Sequence, residues 1–189
     1  MYIEPMIFCL EVKGKFPFWP HPSPFHMATV LDIGSLDING NNRYLFTECG
    51  YTGVDTVPGP NVNVVSSFMH FAKQMPEKSF DTIICTEMLE HDREWQESLF
   101  HMKQLLKPGG LLIITCATGN RPEHWILDRK PVTANKYKAS LTLDDLPQWY
   151  QNRSRSDIEA GLDVYNTFSR HEFKIRDNVD LYFWGVKKV

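Results

Sequence analysis

Apolar residues fall along this chain in short, bounded runs. TVLDIG (29–34), YTGVD (51–55), NVNVV (61–65), SFDTIICTE (79–87, apolar centre TIIC) and LLIITCA (111–117) are compact runs flanked by turn formers. Such runs read as buried strands. REWQESLFHMKQLLK (93–107) differs: its apolar residues at 95, 99, 102, 105 and 106 form a helical stripe, and Pro108, Gly109 and Gly110 end it. NNRYLFTEC (41–49) reads as a short helix between the first two strands. A helix is also expected over 157–168, and HEFKIRD and DLYFWGVKK, on either side of Asn178, read as a terminal antiparallel hairpin. LLIITCA is apolar enough to be covered on both faces. Strands alternating with helices imply an α/β fold, a parallel sheet with helices on both sides.

Two regions break the pattern. Residues 1–27 contain FPFWPHPSPFH (16–26), whose prolines forbid a regular helix there. The expectation is an extended arm packed on the domain, or a lid over a pocket. Residues 118–157 are irregular and read as a cap or long loop within the main domain, 28–189.

Composition narrows the class. The chain has 189 residues, 42% hydrophobic and 23% charged, which suits one globular domain. Its net charge of −3 argues against a dedicated binder of long nucleic acids. Four cysteines lie far apart with no C-x-x-C, so zinc and dithiol motifs lack support and a reduced, cytoplasmic setting is expected. No metal site is expected. MIFCL near the start is too short for a membrane span, so no membrane partner is expected.

The chemistry concentrates in VLDIGSLDING (30–40). In an open α/β sheet, ligands bind beyond the carboxyl ends of the strands. Gly34 would let a ligand approach the backbone, and Ser35 and Asp37 offer polar groups. Asp55, 23 residues after Asp32, can accept hydrogen bonds from both hydroxyls of a ribose. Leu36, Asp37 and Ile38 stand where a pyrophosphate loop would need glycines, and Asp37 adds negative charge. A cationic nucleoside without phosphate, such as S-adenosylmethionine, tolerates all three.

VLDIGSLDING, YTGVDTVPG, FDTIICTEMLEH and LKPGGLLIITC together resemble class I S-adenosylmethionine-dependent methyltransferases, strongly over 28–117 and weakly over 157–188. The resemblance implies a three-layer, doubly wound, Rossmann-like fold. Its seven-stranded sheet is mostly parallel, with an antiparallel last strand. It implies that Asp32, Gly34, Ser35 and Asp37 line the methionine end of S-adenosylmethionine, and that Asp55 and Thr56 hold the ribose. Ser67 and Phe68 would lie near adenine, and Thr86 and Glu87 would close the other side, with Leu89, Glu90 and His91 supporting that loop. The family's D/E-x-G-x-G-x-G lacks its second and third glycines here.

The implied activity is in-line transfer of a methyl group to an oxygen or nitrogen of a small molecule, sugar or nucleotide-type acceptor, leaving S-adenosylhomocysteine. His124 and Glu87 are the candidate proton acceptors. Trp125, Tyr137, Trp149 and Tyr150 read either as an acceptor wall or as the cap's own core. Seven Lys/Arg against four Asp/Glu between 121 and 155 leave room for an anionic acceptor. Two other classes compete. One is a catalytically silent domain that binds a nucleoside or serves assembly. The other is a nicotinamide oxidoreductase, weakened by the missing glycines.

Overall fold

The structure is a computed structural model that describes residues 3–16, 23–38, 40–123 and 149–189. Its framework is a seven-stranded sheet: β1 (Thr29–Ile33), β2 (Gly50–Asp55), β3 (Val64–Val65), β4 (Phe80–Thr86), β5 (Leu106–Ala117), β6 (Phe168–Arg176) and β7 (Asp180–Lys187). Their spatial order is β3-β2-β1-β4-β5-β7-β6. β1 to β5 run parallel, while β7 is antiparallel to both β5 and β6. The central strands are buried on both faces, which their near-continuous apolar runs require.

One face packs against α2 (Phe68–Ala72), α3 (Trp95–Leu105), α4 (Arg155–Leu162) and α5 (Val164–Thr167). Leu31, Ile33, Ile83, Ile114 and Phe183 from the strands meet Phe71, Leu99, Met102, Ile158 and Leu162 there. α3 buries Leu99, Met102 and Leu105, as its stripe anticipates. α4 opens with a reciprocal capping box between Ser154 and Asp157. It stops at Asp163, whose φ of 48° separates it from α5 and divides the single helix expected over 157–168.

The opposite face is covered by an element the sequence pattern did not reveal. Ile3–Gly14 forms a helix, α1, and buries Phe8, Cys9 and Val12 against Val30, Ile113, Tyr182 and Trp184. Phe8 stacks on Tyr182 with ring centroids 4.9 Å apart. Phe16 and Phe25, from the proline-rich stretch, join the same core. The helix expected over 41–49 is only a 3-10 turn, Arg43–Leu45. Among the described residues, no α-helix joins β1 to β2 or β2 to β3, so the first loop has no α-helix N-terminus behind it. A further difference concerns Lys107–Gly110. This segment, expected only as the stop of the helix, is a bulge within β5: four residues of β5 stand against one of β4, Asp81, between the pairs Phe80–Leu106 and Thr82–Leu111.

Among the described residues, no helix is long and apolar enough to cross a membrane. Among them, no group of three or more His, Cys, Asp or Glu is placed to hold a metal ion.

Candidate active site

The carboxyl ends of β1, β2 and β4 converge on one edge of the sheet, and the loop after β1 lies across it. Four successive N–H groups of that loop are already occupied. Gly34 and Ser35 donate to Val54 O at 3.0 and 3.2 Å, Leu36 donates to Asp55 Oδ2 at 3.1 Å, and Asp37 donates to Pro60 O at 3.0 Å. A pyrophosphate cradle needs such donors free, so this loop is unsuited to a dinucleotide. Gly34 has φ +73°, and a Cβ there would meet Met88 Cβ at 2.8 Å, so glycine is required. Asp37 builds the loop itself: Gly40 N donates to its Oδ1 at 2.8 Å and Asn41 Nδ2 to its Oδ2 at 2.6 Å.

Asp55 ends β2. Its Oδ2 accepts from Leu36 N and its Oδ1 from Val57 N at 3.1 Å. Burial raises its carboxyl above the usual range, and these backbone donors counter the rise. Thr56 is exposed beside it. Asp32 is almost fully buried under the loop, where Tyr51 OH donates to its Oδ2 at 2.6 Å and Asn61 Nδ2 at 3.0 Å. Burial pushes its carboxyl up to about 6, against the pull of those two donors.

On the β4 side, Thr86 is buried and Glu87 holds φ +57°, a strained value for a non-glycine residue. Thr115 Oγ1 donates to Glu87 Oε1 at 3.1 Å, and Arg121 Nη1 pairs with Glu87 Oε2 at 2.9 Å. The same guanidinium reaches Asp180 at the start of β7. Burial raises the Glu87 carboxyl, with Arg121 opposing. Glu90 is fully buried in a 3-10 turn, Leu89–His91, where only nearby backbone groups favour its ionised form by hydrogen bonding. Burial, then the charge of Glu87, pushes it up to about 8.

Among the described residues, the buried hydroxyls of Ser35 and Thr86 find no hydrogen-bond partner. Unpartnered polar atoms are rare in a finished core, and here they gather where β1 and β4 end, as a polar ligand would require. The polar and acidic residues gathered here fit a cationic nucleoside such as S-adenosylmethionine.

Other expected residues lie elsewhere or serve the fold. Ser67 caps α2, its hydroxyl accepting from His70 N at 3.2 Å, and Phe68 is buried in the core. His124, Trp125 and Tyr137 lie outside the described residues. The guanidinium of the buried Arg153 lies over the rings of Trp149 and Trp95, at 4.9 and 4.8 Å. The Tyr150 ring meets His91 edge-on at 5.3 Å. Sequence reasoning missed Tyr51, Asn61, Arg121 and Asp180. Tyr51 opens YTGVDTVPG, but nothing there marks its hydroxyl as a partner of Asp32; Asn61, Arg121 and Asp180 stand in none of the segments that carry the resemblance.

The strand order, the reversed β7 and the acidic residues ending β1 and β2 define a Rossmann-like fold of the class I methyltransferase type. A family model described as a methyltransferase domain matches residues 18–174. The chain belongs to this family. It is 26% identical over 141 residues to a ubiquinone biosynthesis O-methyltransferase of Saccharophagus degradans, covering 69% of this chain and 59% of that protein. A protein of the same description from Rickettsia canadensis is 24% identical over 143 residues, covering 69% of this chain and 58% of the relative. The chain thus spans rather more than half the length of these relatives.

Among solved structures, it resembles 1,6-didemethyltoxoflavin-N1-methyltransferase of Burkholderia thailandensis, which is bound to S-adenosylhomocysteine. The TM-score is 0.58 at 14% identity, covering 98% of this chain and 91% of the other. Phosphoethanolamine N-methyltransferase 2 of Haemonchus contortus matches with a TM-score of 0.56 at 15% identity, covering 95% and 52%.

Proposed function

We propose that this chain transfers a methyl group from S-adenosylmethionine to an oxygen or nitrogen of a small acceptor, with oxygen the favoured case. The observation that carries this reading is the state of the first loop. Its N–H groups are occupied, yet carboxylates and unpartnered hydroxyls surround it. Such a site repels phosphate and suits a cationic nucleoside. The two curated relatives, both O-methyltransferases by name, support oxygen.

When bound, the cofactor supplies an electrophilic methyl on a sulfonium. The protein's own work is alignment and charge. Asp55 accepts hydrogen bonds from the ribose. Asp32, under the loop, is anionic above about pH 6 and favours a cation above it. Glu87, Asp180 and Arg121 form a cluster with one more carboxylate than cation, which leaves residual negative charge at this edge. Glu87, held by Thr115 and Arg121, is proposed to orient the acceptor, and His124 to take its proton. A sugar or nucleotide acceptor is the narrower alternative within this reading.

Calorimetry with S-adenosylmethionine, S-adenosylhomocysteine and NAD tests the cofactor, with micromolar-range binding expected for the first two only. Radiolabelled methyl transfer to phenols, amines, sugars and nucleotides then tests the acceptor, with phenols expected to react. Absence of binding by both sulfur nucleosides overturns the proposal. Binding without transfer to any of the four classes makes the chain a silent binder instead.

A further inference from the structure

We infer that Asn61 is the positioning residue of the cofactor loop, acting by tying Asp32 to Ser35. This rests on the reading of the site as an S-adenosylmethionine site. Asn61 lies on the connection between β2 and β3, far in sequence from both partners. One amide group, Nδ2, donates to Asp32 Oδ2 at 3.0 Å and to Ser35 O at 2.9 Å. It therefore joins the buried carboxylate to the backbone of Ser35, whose side chain packs against Gly53 of β2.

Asn61 is held firmly itself. Its φ is +71°, a left-handed value that asparagine tolerates better than most residues. Its carbonyl oxygen lies so close to Gly53 that a Cβ there would collide with it. Arg43 stacks over the Tyr51 ring at 4.7 Å and reaches Asn61 Oδ1 at 3.4 Å. Tyr51 is the other donor to Asp32. Arg43, Tyr51, Asn61 and Asp32 thus form one connected group beneath the loop. With no α-helix after β1 or β2 among the described residues, this group and Asp55 take over the support that a following α-helix would provide.

The charged and titratable groups around Asp32 are Tyr51 and Asp55 from β2, Arg43 from the 3-10 turn, Cys9 from α1 and Cys85 from β4. Asn61 and Tyr51 favour its ionised form, while burial and Asp55 oppose it. Loss of the Asn61 amide therefore does two things. It frees Ser35, and it moves the ionisation of Asp32 to higher pH.

The test is S-adenosylmethionine binding by calorimetry from pH 5 to 8.5 in wild type, Asn61→Gly and Asn61→Asp. Glycine keeps the left-handed backbone without strain, and aspartate keeps the shape but turns the donor into an acceptor. Wild type is expected to lose affinity below about pH 6, where Asp32 becomes protonated. Asn61→Gly should bind about tenfold more weakly at pH 7.5, with the pH midpoint moved upward. Asn61→Asp should bind more weakly still at pH 7.5 and recover toward pH 5, where two adjacent carboxyls share a proton.

Affinity within twofold of wild type in both variants overturns the inference. So does a fall in affinity with the midpoint unmoved, since that is a structural effect alone. If Asn61→Gly does not fold, Asn61→Asp decides the point. A wild-type chain that binds neither sulfur nucleoside overturns the functional reading together with this inference. Normal wild-type binding with unaltered variants overturns the inference only.

Discussion

Arg121 reaches Glu87 Oε2 at 2.9 Å and Asp180 with the same nitrogen, so one guanidinium ties the end of β4 to the start of β7 across β5. All three side chains are largely buried. Removing the cation leaves two carboxylates facing each other in a poorly solvated place. Arg121→Met should destabilise the fold by about 3 kcal/mol, lowering Tm by about 6–12 °C for a domain of this size. Thermal unfolding at pH 7 checks this. Recovery by Glu87→Gln in the same chain would show that the carboxylates, rather than lost packing, are the cause.

Asp55 combines two tasks: it holds Leu36 N and Val57 N, and it is the proposed ribose acceptor. Asp55→Ala should weaken S-adenosylmethionine binding by about 1.5–3 kcal/mol, about 10- to 150-fold. Calorimetry gives the number, and unchanged affinity would remove Asp55 from the site.

Glu90 gives a pH signature independent of any ligand. Its carboxyl is raised from 4.5 to about 8 in the folded chain by burial, then by Glu87. A raised carboxyl pKa means that the folded state holds a proton which the unfolded state has released. Its contribution is therefore most favourable below about pH 4.5 and declines as pH rises toward about 8. Glu90→Gln should flatten this decline, with a Tm gain over wild type that grows between pH 5 and 8. Parallel slopes for the two proteins in that window would rule the assignment out.

α1 is integral to the second core rather than an ornament on it. Phe8→Ala should cost about 3–5 kcal/mol, visible in denaturant unfolding as a lower midpoint with an unchanged slope. A change within 1 kcal/mol would mean that the Phe8–Tyr182 stack is dispensable.

Those two residues also show where the sequence was readable and where it was not. The strands could be read because burial on both faces forces continuous apolar runs, as in TIIC and LLIITCA. α3 could be read because only one of its faces is buried. α1 escaped notice because its apolar residues surround it on several sides. Phe8, Cys9 and Val12 go inward, while Ile3, Ile7 and Leu10 stay exposed, so no clean stripe marks it. Around the first loop, the places of Asp32, Gly34 and Asp55 at or beside strand ends were legible. Asn61, Arg121 and Asp180 were not, because their roles arise from contacts between segments 26 or more residues apart. Asp37 and Ser67 carry the polar groups a ligand would want, but local backbone donors have claimed them.

The chain leaves β5 and comes back to it at nearly one point. Arg153 N donates to Ala117 O at 2.8 Å, and Asn152 Nδ2 donates to the carbonyls of Gly119 and Arg121 at 3.0 and 2.8 Å. Exit and return are thus stitched together beside the site. Lengthening such an excursion costs little, about 0.6 kcal/mol for each doubling. This junction is therefore a natural graft point. Segments of other lengths can be exchanged there while β1, β2 and the first loop stay as they are.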